Sequence, residues 1–352
     1  MIKNISLKNF RLFNNLNLDV NNSLIIFSGA NATGKTSILE AIYLCSTSKS
    51  HRTNDLLSVV KENEEFSICE IDSDKHLKMV LSKSGKSLFI NKREIKKISD
   101  FIGNLKVVMF SPADLSLIKG SKADKRHFLD IEISLIDNLY LKASTAYKKL
   151  LKERNDLLKN QNVDKKYLDI ITAELVRYLD IIYKKRIGFI NEINLFLEKI
   201  AIELNVEKIE LRYNKTYDDD ILKSFKKKEI LDINTHVTNI GCHRDDFTVL
   251  INDHDAHEYA SEGQARTICI ALKLTLKQYI EKMTNIEPIL LLDDVFAALD
   301  KKRIQSLTKY VLNNHQTFIT TTSILEIPDE LLKTANVLRI ENIVKENCYD
   351  GK

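Results

Sequence analysis

Residues 24–43 run from an apolar pentad, Leu24 to Ser28, through the loop Gly-Ala-Asn-Ala-Thr-Gly-Lys-Thr at 29–36, into the helical pattern Ser-Ile-Leu-Glu-Ala-Ile-Tyr at 37–43. Strand, glycine loop and helix in that order commit the chain to an α/β arrangement and describe a phosphate cradle. Gly29 and Gly34 let the backbone wrap closely enough for its N–H groups to face phosphate oxygens. Lys35 reaches the β and γ phosphates, and the Thr36 hydroxyl is a ligand for Mg²⁺. The helix starting near Thr36 adds its positive end to the same place. The chain has only 9 glycines in 352 residues, so two at the required spacing carry weight. The cradle is expected to comprise Gly29, Ala30, Asn31, Ala32, Thr33, Gly34, Lys35, Thr36 and Ser37, with ATP and Mg²⁺ as its cofactors.

A chain of 352 residues is long enough for one large domain or two ordinary ones. Its 44% hydrophobic and 29% charged residues describe a globular protein. No apolar run approaches the roughly 20 residues needed to cross a bilayer, and the first residues alternate as a strand, so no membrane association and no signal peptide are expected. Cys45, Cys69, Cys242, Cys269 and Cys348 are scattered without a C-x-x-C pair. That argues against a disulfide framework and a zinc site and for a reducing cytoplasm. A net charge of +4 permits contact with a polyanion without demanding it.

Ile2, Ile5 and Leu7 start an alternating strand, a second follows near residues 16–20, and both lead into the phosphate-loop strand. Beyond the first helix stand His51 and Arg52, the arginine reading either as a side contact to phosphate or as a solvated loop residue. Three alternating runs between Phe66 and Ile90, separated by turn residues, predict an antiparallel meander forming a second sheet layer. A buried strand at 105–110 closes the first part. From Lys122 to Val206 apolar residues recur at helical spacing, which predicts two helical runs of roughly 35 residues, about 50 Å each if unbroken. The expected division is 1–110 for the first half of a nucleotide-binding head, 111–234 for a mainly helical lobe inserted in it, and 235–352 for the second half.

Two further motifs lie in that last part. Ile289 to Leu292 is a wholly apolar strand that delivers Asp293 and Asp294 at its end. In a parallel sheet that end faces the nucleotide. Asp293 is placed to hold Mg²⁺, and Asp294, with Lys35, is the expected catalytic pair, the aspartate orienting and deprotonating the attacking water. About 30 residues earlier, Ser261-Glu262-Gly263-Gln264 opens a helix. Alone this is an N-cap serine followed by a glycine; after a P-loop it is also an anion site. One chain needs one phosphate site, so Ser261, Gly263 and Gln264 are expected to grip the γ-phosphate held by a second copy, in a twofold pair enclosing two nucleotides.

The full set of motifs resembles the ABC-type ATPases of the SMC and Rad50 class, and within it the RecF family. The segments that carry the resemblance are LKNFRLF, GANATGKTSILEAIY, SHRTND, FSPADLSLIKGS, RHFLD, GCHRDDF, ASEGQAR and LLLLDDVFAALD. The insert is far shorter than the coiled coils of SMC and Rad50 proteins, which favours RecF. The chain departs from the family pattern at Ala32, where a third glycine is usual, at Lys122 and Cys242, where proline is usual, and at Ala297-Ala298, where Ser-Glu is usual. The resemblance implies a head with mixed sheets around the P-loop plus a mainly helical lobe, and weak DNA-stimulated ATP hydrolysis with ATP-dependent dimerisation. It implies binding to double-stranded and gapped DNA, and action with RecR and RecO to load RecA. The ATP-binding subunit of another ABC system, SMC-like or transporter-associated, is the alternative.

Overall fold

The computed structural model describes residues 1–53 and 55–343, so Cys348 lies outside the described residues. The chain divides into two compact units, 1–114 with 270–352, and 115–269.

In the first unit, β1 (Asn4–Phe10) and β2 (Phe13–Asp19) form a hairpin, and β3 (Leu24–Ser28) leads through the glycine loop into the helix Lys35–Thr47. β4 (Phe66–Asp72), β5 (His76–Ser82), β6 (Gly85–Ile90) and the short β7 (Arg93–Ile95) extend the hairpin into a six-stranded sheet of order β2-β1-β4-β5-β6-β7 with antiparallel neighbours. This is the expected meander with one more strand. Along β4 and β5 every second residue is buried, as expected of a sheet covered on one face. β8 (Val107–Phe110) belongs to the other sheet of this unit.

In the second unit the helices Lys122–Ile136, Asn138–Leu158 and Lys165–Leu204 pack with a sheet of their own. That sheet has β9 (Ile209–Asn214) beside β10 (Asp246–Ile251), which pairs with the two-residue β11 (His254–Asp255). Two findings differ from expectation here. The first predicted helical run breaks at Asp137, whose backbone is extended and whose carboxylate accepts the N–H of Tyr140, ending one helix and capping the next. The third helix is unbroken for 40 residues, about 60 Å at 1.5 Å per residue. The unit also runs to residue 269 rather than 234, because β9 and β10 pair across the helix Ile221–Thr235 and keep 235–269 with the lobe.

Residues 241–245 of the GCHRDDF segment form a turn that leads into β10, and this turn organises the unit. Gly241 has φ +123°, and a Cβ there would stand 2.3 Å from the Tyr147 hydroxyl. His243 bridges that hydroxyl (2.8 Å) and the Thr238 carbonyl (3.0 Å). Asp245, fully buried, accepts from the hydroxyls of Tyr213 (2.7 Å), Tyr217 (3.0 Å) and Thr216 (2.9 Å) and from the Thr216 N–H (2.9 Å). Tyr213 also accepts from Arg186 (3.3 Å), which donates to the Cys242 carbonyl (2.8 Å) and to Asp130 (2.9 Å). One hydrogen-bonded network thus ties all three helices to β9 and the turn. Its polar groups are mutually satisfied, as burial requires.

The remaining strands return to the first unit. β12 (Ile289–Asp293), β13 (Thr317–Thr321) and β14 (Asn336–Arg339) join β3 and β8 in a parallel sheet of order β14-β3-β13-β12-β8. β3, β12 and β13 are buried throughout, as continuous apolar strands covered on both faces should be. The helix Lys35–Thr47 packs against β1, β4 and β5 on one side and β8, β12 and β13 on the other. Every residue of it except Thr36 is buried. With about 1.5–3 kcal/mol for each large aliphatic side chain removed from water, Ile38, Leu39, Ile42 and Leu44 fix it firmly between the two sheets.

Candidate functional site

The parallel sheet sets Asp293 opposite Thr320 in register and Ser28 opposite Thr321, so the ends of β3, β12 and β13 lie together at one edge. Gly34 holds φ +103°, and a Cβ on it would stand 2.5 Å from the ring of Phe13, so both conformation and space demand glycine. As N-cap it has no side chain to spend on the first turn, and that turn carries no acidic residue. The helix therefore presents its amino-terminal dipole and N–H groups to an anion. Lys35 is buried, its Nζ donating to the carbonyls of Gly29 and Ala30, each at 2.7 Å, and Thr33 Oγ1 donates to Ala30 at 3.0 Å. Glu341 lies alongside, accepting the Ala30 N–H at 2.6 Å.

Ala32 has φ +64°. This left-handed geometry explains the glycine usual at this position, since an L-residue there costs roughly 1–2 kcal/mol. Ala32→Gly is expected to stabilise the protein by about 1 kcal/mol in chemical denaturation, after the greater chain entropy of glycine is subtracted.

Thr36 Oγ1 donates to Asp293 Oδ1 at 2.7 Å, and Thr320 Oγ1 donates to the same oxygen at 2.7 Å. Thr320 also accepts the Asp294 N–H at 3.1 Å. A hydroxyl and a carboxylate meeting at the mouth of a phosphate loop are hard oxygen donors that suit Mg²⁺, which binds few protein groups and keeps several waters. Asp294 is different. It has φ +50°, an uncommon conformation for a non-glycine residue of the kind that clusters at active sites, and its Oδ1 is buried without a hydrogen-bond partner among the described residues. Burial first, and the neighbouring Asp293 charge second, push its carboxyl above the usual range against the pull of Lys35. A carboxylate so placed is a better base than an ordinary aspartate.

A cavity of about 710 Å³ runs from residues 31–37 of the loop past Asp294 to Arg11, Arg52 and Val60. Such a volume is in the range of small-molecule sites. Under the arginines lies Glu40, on the phosphate-loop helix and fully buried. Burial pushes its carboxyl up, but hydrogen bonds from Arg11 and Ser50 and the Arg11 charge more than compensate and keep it ionised. Next to it His51 meets Tyr43 edge-on at 5.6 Å, with both ring nitrogens buried and unpartnered among the described residues. Burial holds its pKa below the ordinary value and keeps it neutral. Sequence reasoning left Arg11, Glu40 and Thr320 without roles; a buried polar residue within an apolar pattern was the signal available.

Ser261, Gly263 and Gln264 belong to the second unit. Ser261 Oγ accepts the Gln264 N–H (3.2 Å) while Gln264 Oε1 accepts the Ser261 N–H (3.0 Å), a reciprocal cap at the start of the helix Glu262–Thr284. Gln264 Nε2 donates to Glu207 at 2.8 Å. Ser261, Glu262 and Gly263 are exposed. The structure thus realises the N-cap and leaves the serine at the surface.

Residues 1–339 match the family model described as the RecF/RecN/SMC N terminal domain. The chain is 40% identical over 325 residues to the DNA replication and repair protein RecF of Acholeplasma laidlawii, covering 91% of this chain and 93% of that one. This chain is a member of the RecF family. A second RecF, from Clostridium botulinum, is 40% identical over 359 residues, covering 97% of this chain and 98% of the other. Among solved structures, that of the recombination mediator protein RecF with ATP, in the RecFOR pathway, superposes with a TM-score of 0.87 at 31% identity over 93% of both chains. The Smc head of Pyrococcus furiosus shares the fold at TM-score 0.51 and 16% identity. The α/β head of ABC/SMC type expected from the motifs is therefore the fold of this RecF-family chain. No described helix is long and apolar enough to cross a membrane.

Proposed function

We propose that this RecF-family chain is a recombinational DNA repair ATPase of the cytoplasm that binds ATP and Mg²⁺ at its phosphate loop and dimerises around two nucleotides. The observation that carries the reading is the convergence of Thr36, Asp293 and Thr320 beside an Asp294 whose Oδ1 is buried without a hydrogen-bond partner among the described residues and whose carboxyl is raised. The loop N–H groups and Lys35 hold the phosphates. Thr36 and Asp293 hold the metal, which supplies charge neutralisation on the phosphate oxygens. Asp294 accepts a proton as a water oxygen bonds to the γ-phosphorus and the bond to the bridging oxygen breaks, releasing ADP and phosphate. Slow turnover stimulated by DNA is part of the proposal, as is binding to double-stranded DNA and gapped junctions with RecR and RecO to promote RecA loading. The transporter-associated alternative loses ground, because the relatives matched over nearly the full chain carry DNA repair names.

Ser261, Gly263 and Gln264 serve the γ-phosphate of a second copy in this reading, with Ser261 exposed as such a role needs. Sedimentation with ATP and a short gapped duplex tests it. The wild type should sediment as a DNA-bound dimer with ATP and as a monomer with ADP, and Ser261→Arg should remain monomeric with ATP while binding the nucleotide. A Ser261→Arg protein that dimerises normally would sink the trans site. DNA affinity should fall steeply with salt, because phosphate contacts release counterions.

A further inference from the structure

Glu40 is an unusual choice for its position. It lies on the phosphate-loop helix five residues beyond Lys35, fully buried, and does not line the cavity. Its carboxylate is nevertheless where three segments converge. Arg11, at the turn between β1 and β2, grips it with two prongs, Nε at 2.8 Å and Nη2 at 2.7 Å. The Ser50 hydroxyl donates to the same carboxylate. Arg52 Nη1 stands 3.7 Å away. Each contact is itself locked. Arg11 has φ +53°, its N–H donates to the Val59 carbonyl at 2.7 Å, and its Nη1 donates to the Ser58 carbonyl at 2.8 Å. Ser50 Oγ accepts the N–H of Arg52 at 3.0 Å and that of Thr53 at 3.3 Å, fixing the turn that carries Arg52.

Both arginines, in contrast, line the cavity beside Lys35, Thr36 and Asp294. A guanidinium has five N–H donors in a fixed plane, and a carboxylate that takes two of Arg11's along one edge dictates where the rest can point. We propose that Glu40 is a positioning residue for nucleotide binding, holding Arg11 and Arg52 as a cationic side wall for the phosphate chain in the loop. The proposal rests on the ATP-binding reading above and adds to it a device with a distinctive sign. A buried carboxylate close to a polyphosphate site repels the ligand through space, so removing its charge would tighten binding if that were all it did. A carboxylate that holds two cations in place does the reverse.

The test is the ATP dissociation constant of purified full-length protein, measured at a temperature where thermal melting shows each variant folded. Glu40→Gln is expected to bind ATP about tenfold more weakly than wild type, and Arg11→Ala/Arg52→Ala to match it. Adding Glu40→Gln to that double variant should then weaken affinity no further, because only the through-space repulsion is left for it to remove. Glu40→Gln binding as tightly as wild type or more tightly overturns the proposal, and so does an equal loss with and without the arginines. If Glu40→Gln does not fold, Ser50→Ala carries the test. It should weaken ATP about threefold and lose its effect beside Arg52→Ala, and unchanged affinity would overturn the proposal. Wild type and Lys35→Ala are measured in parallel. Absence of ATP binding by the wild type refutes the nucleotide reading and this proposal together, whereas normal binding by wild type and Glu40→Gln refutes this proposal alone.

Discussion

Asp294→Asn is expected to bind ATP normally and to lose hydrolysis by about 10²–10⁴-fold, the usual contribution of a positioned general base. The amide keeps the size of the side chain and leaves the Asp294 N–H to Thr320 intact, so nucleotide affinity isolates the chemical step from the fold. The same carboxyl predicts a pH profile. Burial raises its pKa, so hydrolysis by the wild type should fall on the acid side with a midpoint above the roughly 3.9 of a free aspartate. Single-turnover hydrolysis against pH, at saturating ATP, reads this directly. A variant that hydrolyses at the wild-type rate would remove Asp294 from the mechanism.

Asp130→Asn should cost about 3–5 kcal/mol of stability, because it leaves Arg186 buried without its counter-charge. Asp130 accepts from Tyr140 (2.6 Å), Lys148 (2.7 Å) and Arg186 (2.9 Å), and Arg186 is 3% exposed. Burial raises its carboxyl, but Arg186 and then Lys148 outweigh that and hold it well below the usual range. A carboxylate whose folded pKa is depressed contributes stability above its unfolded value, near 3.9, and loses it as pH falls toward the folded one. Acid denaturation of the wild type should therefore set in below about pH 5, and the variant should lose that part of its pH dependence. Denaturation curves at pH 7 and about pH 3 for both proteins check the magnitude and the sign.

The phosphate loop and the aspartate pair were legible because their chemistry is written into adjacent residues: a glycine where φ is positive, a lysine, a hydroxyl, and an apolar strand ending in acid. The split of one parallel sheet across the insert was legible too, since β3, β12 and β13 are apolar throughout, as strands covered on both faces are. Less could be read where the deciding contact is distant. Asp137 is one of several aspartates in a helical stretch, and only its extended backbone makes it a break. β10 looks like a strand of the head until its pairing with β9 places it in the lobe. Glu40 reads as a solvent-facing residue on any ordinary helix. Here the helix has a sheet on each side, so a polar side chain on it must find partners in the interior, and Arg11 is 29 positions away in sequence. Ser261 shows the opposite limit: a serine that caps its own helix and a serine that serves a neighbour share one local sequence.

The order of the parallel sheet has a consequence for synthesis. The phosphate-loop strand β3 ends at residue 28, yet both strands that flank it, β13 and β14, begin only at residues 317 and 336. At about 5–20 residues per second, the ribosome needs roughly 15–60 s to deliver them after β3 has emerged. Throughout that interval an apolar strand waits with two open edges, and the glycine loop has no sheet to stand on. A nascent chain therefore cannot hold nucleotide, and ligand can stabilise only the finished molecule. β3, the third strand made, completes its pairing last, which also makes it the place where a truncated product would be left open to aggregation.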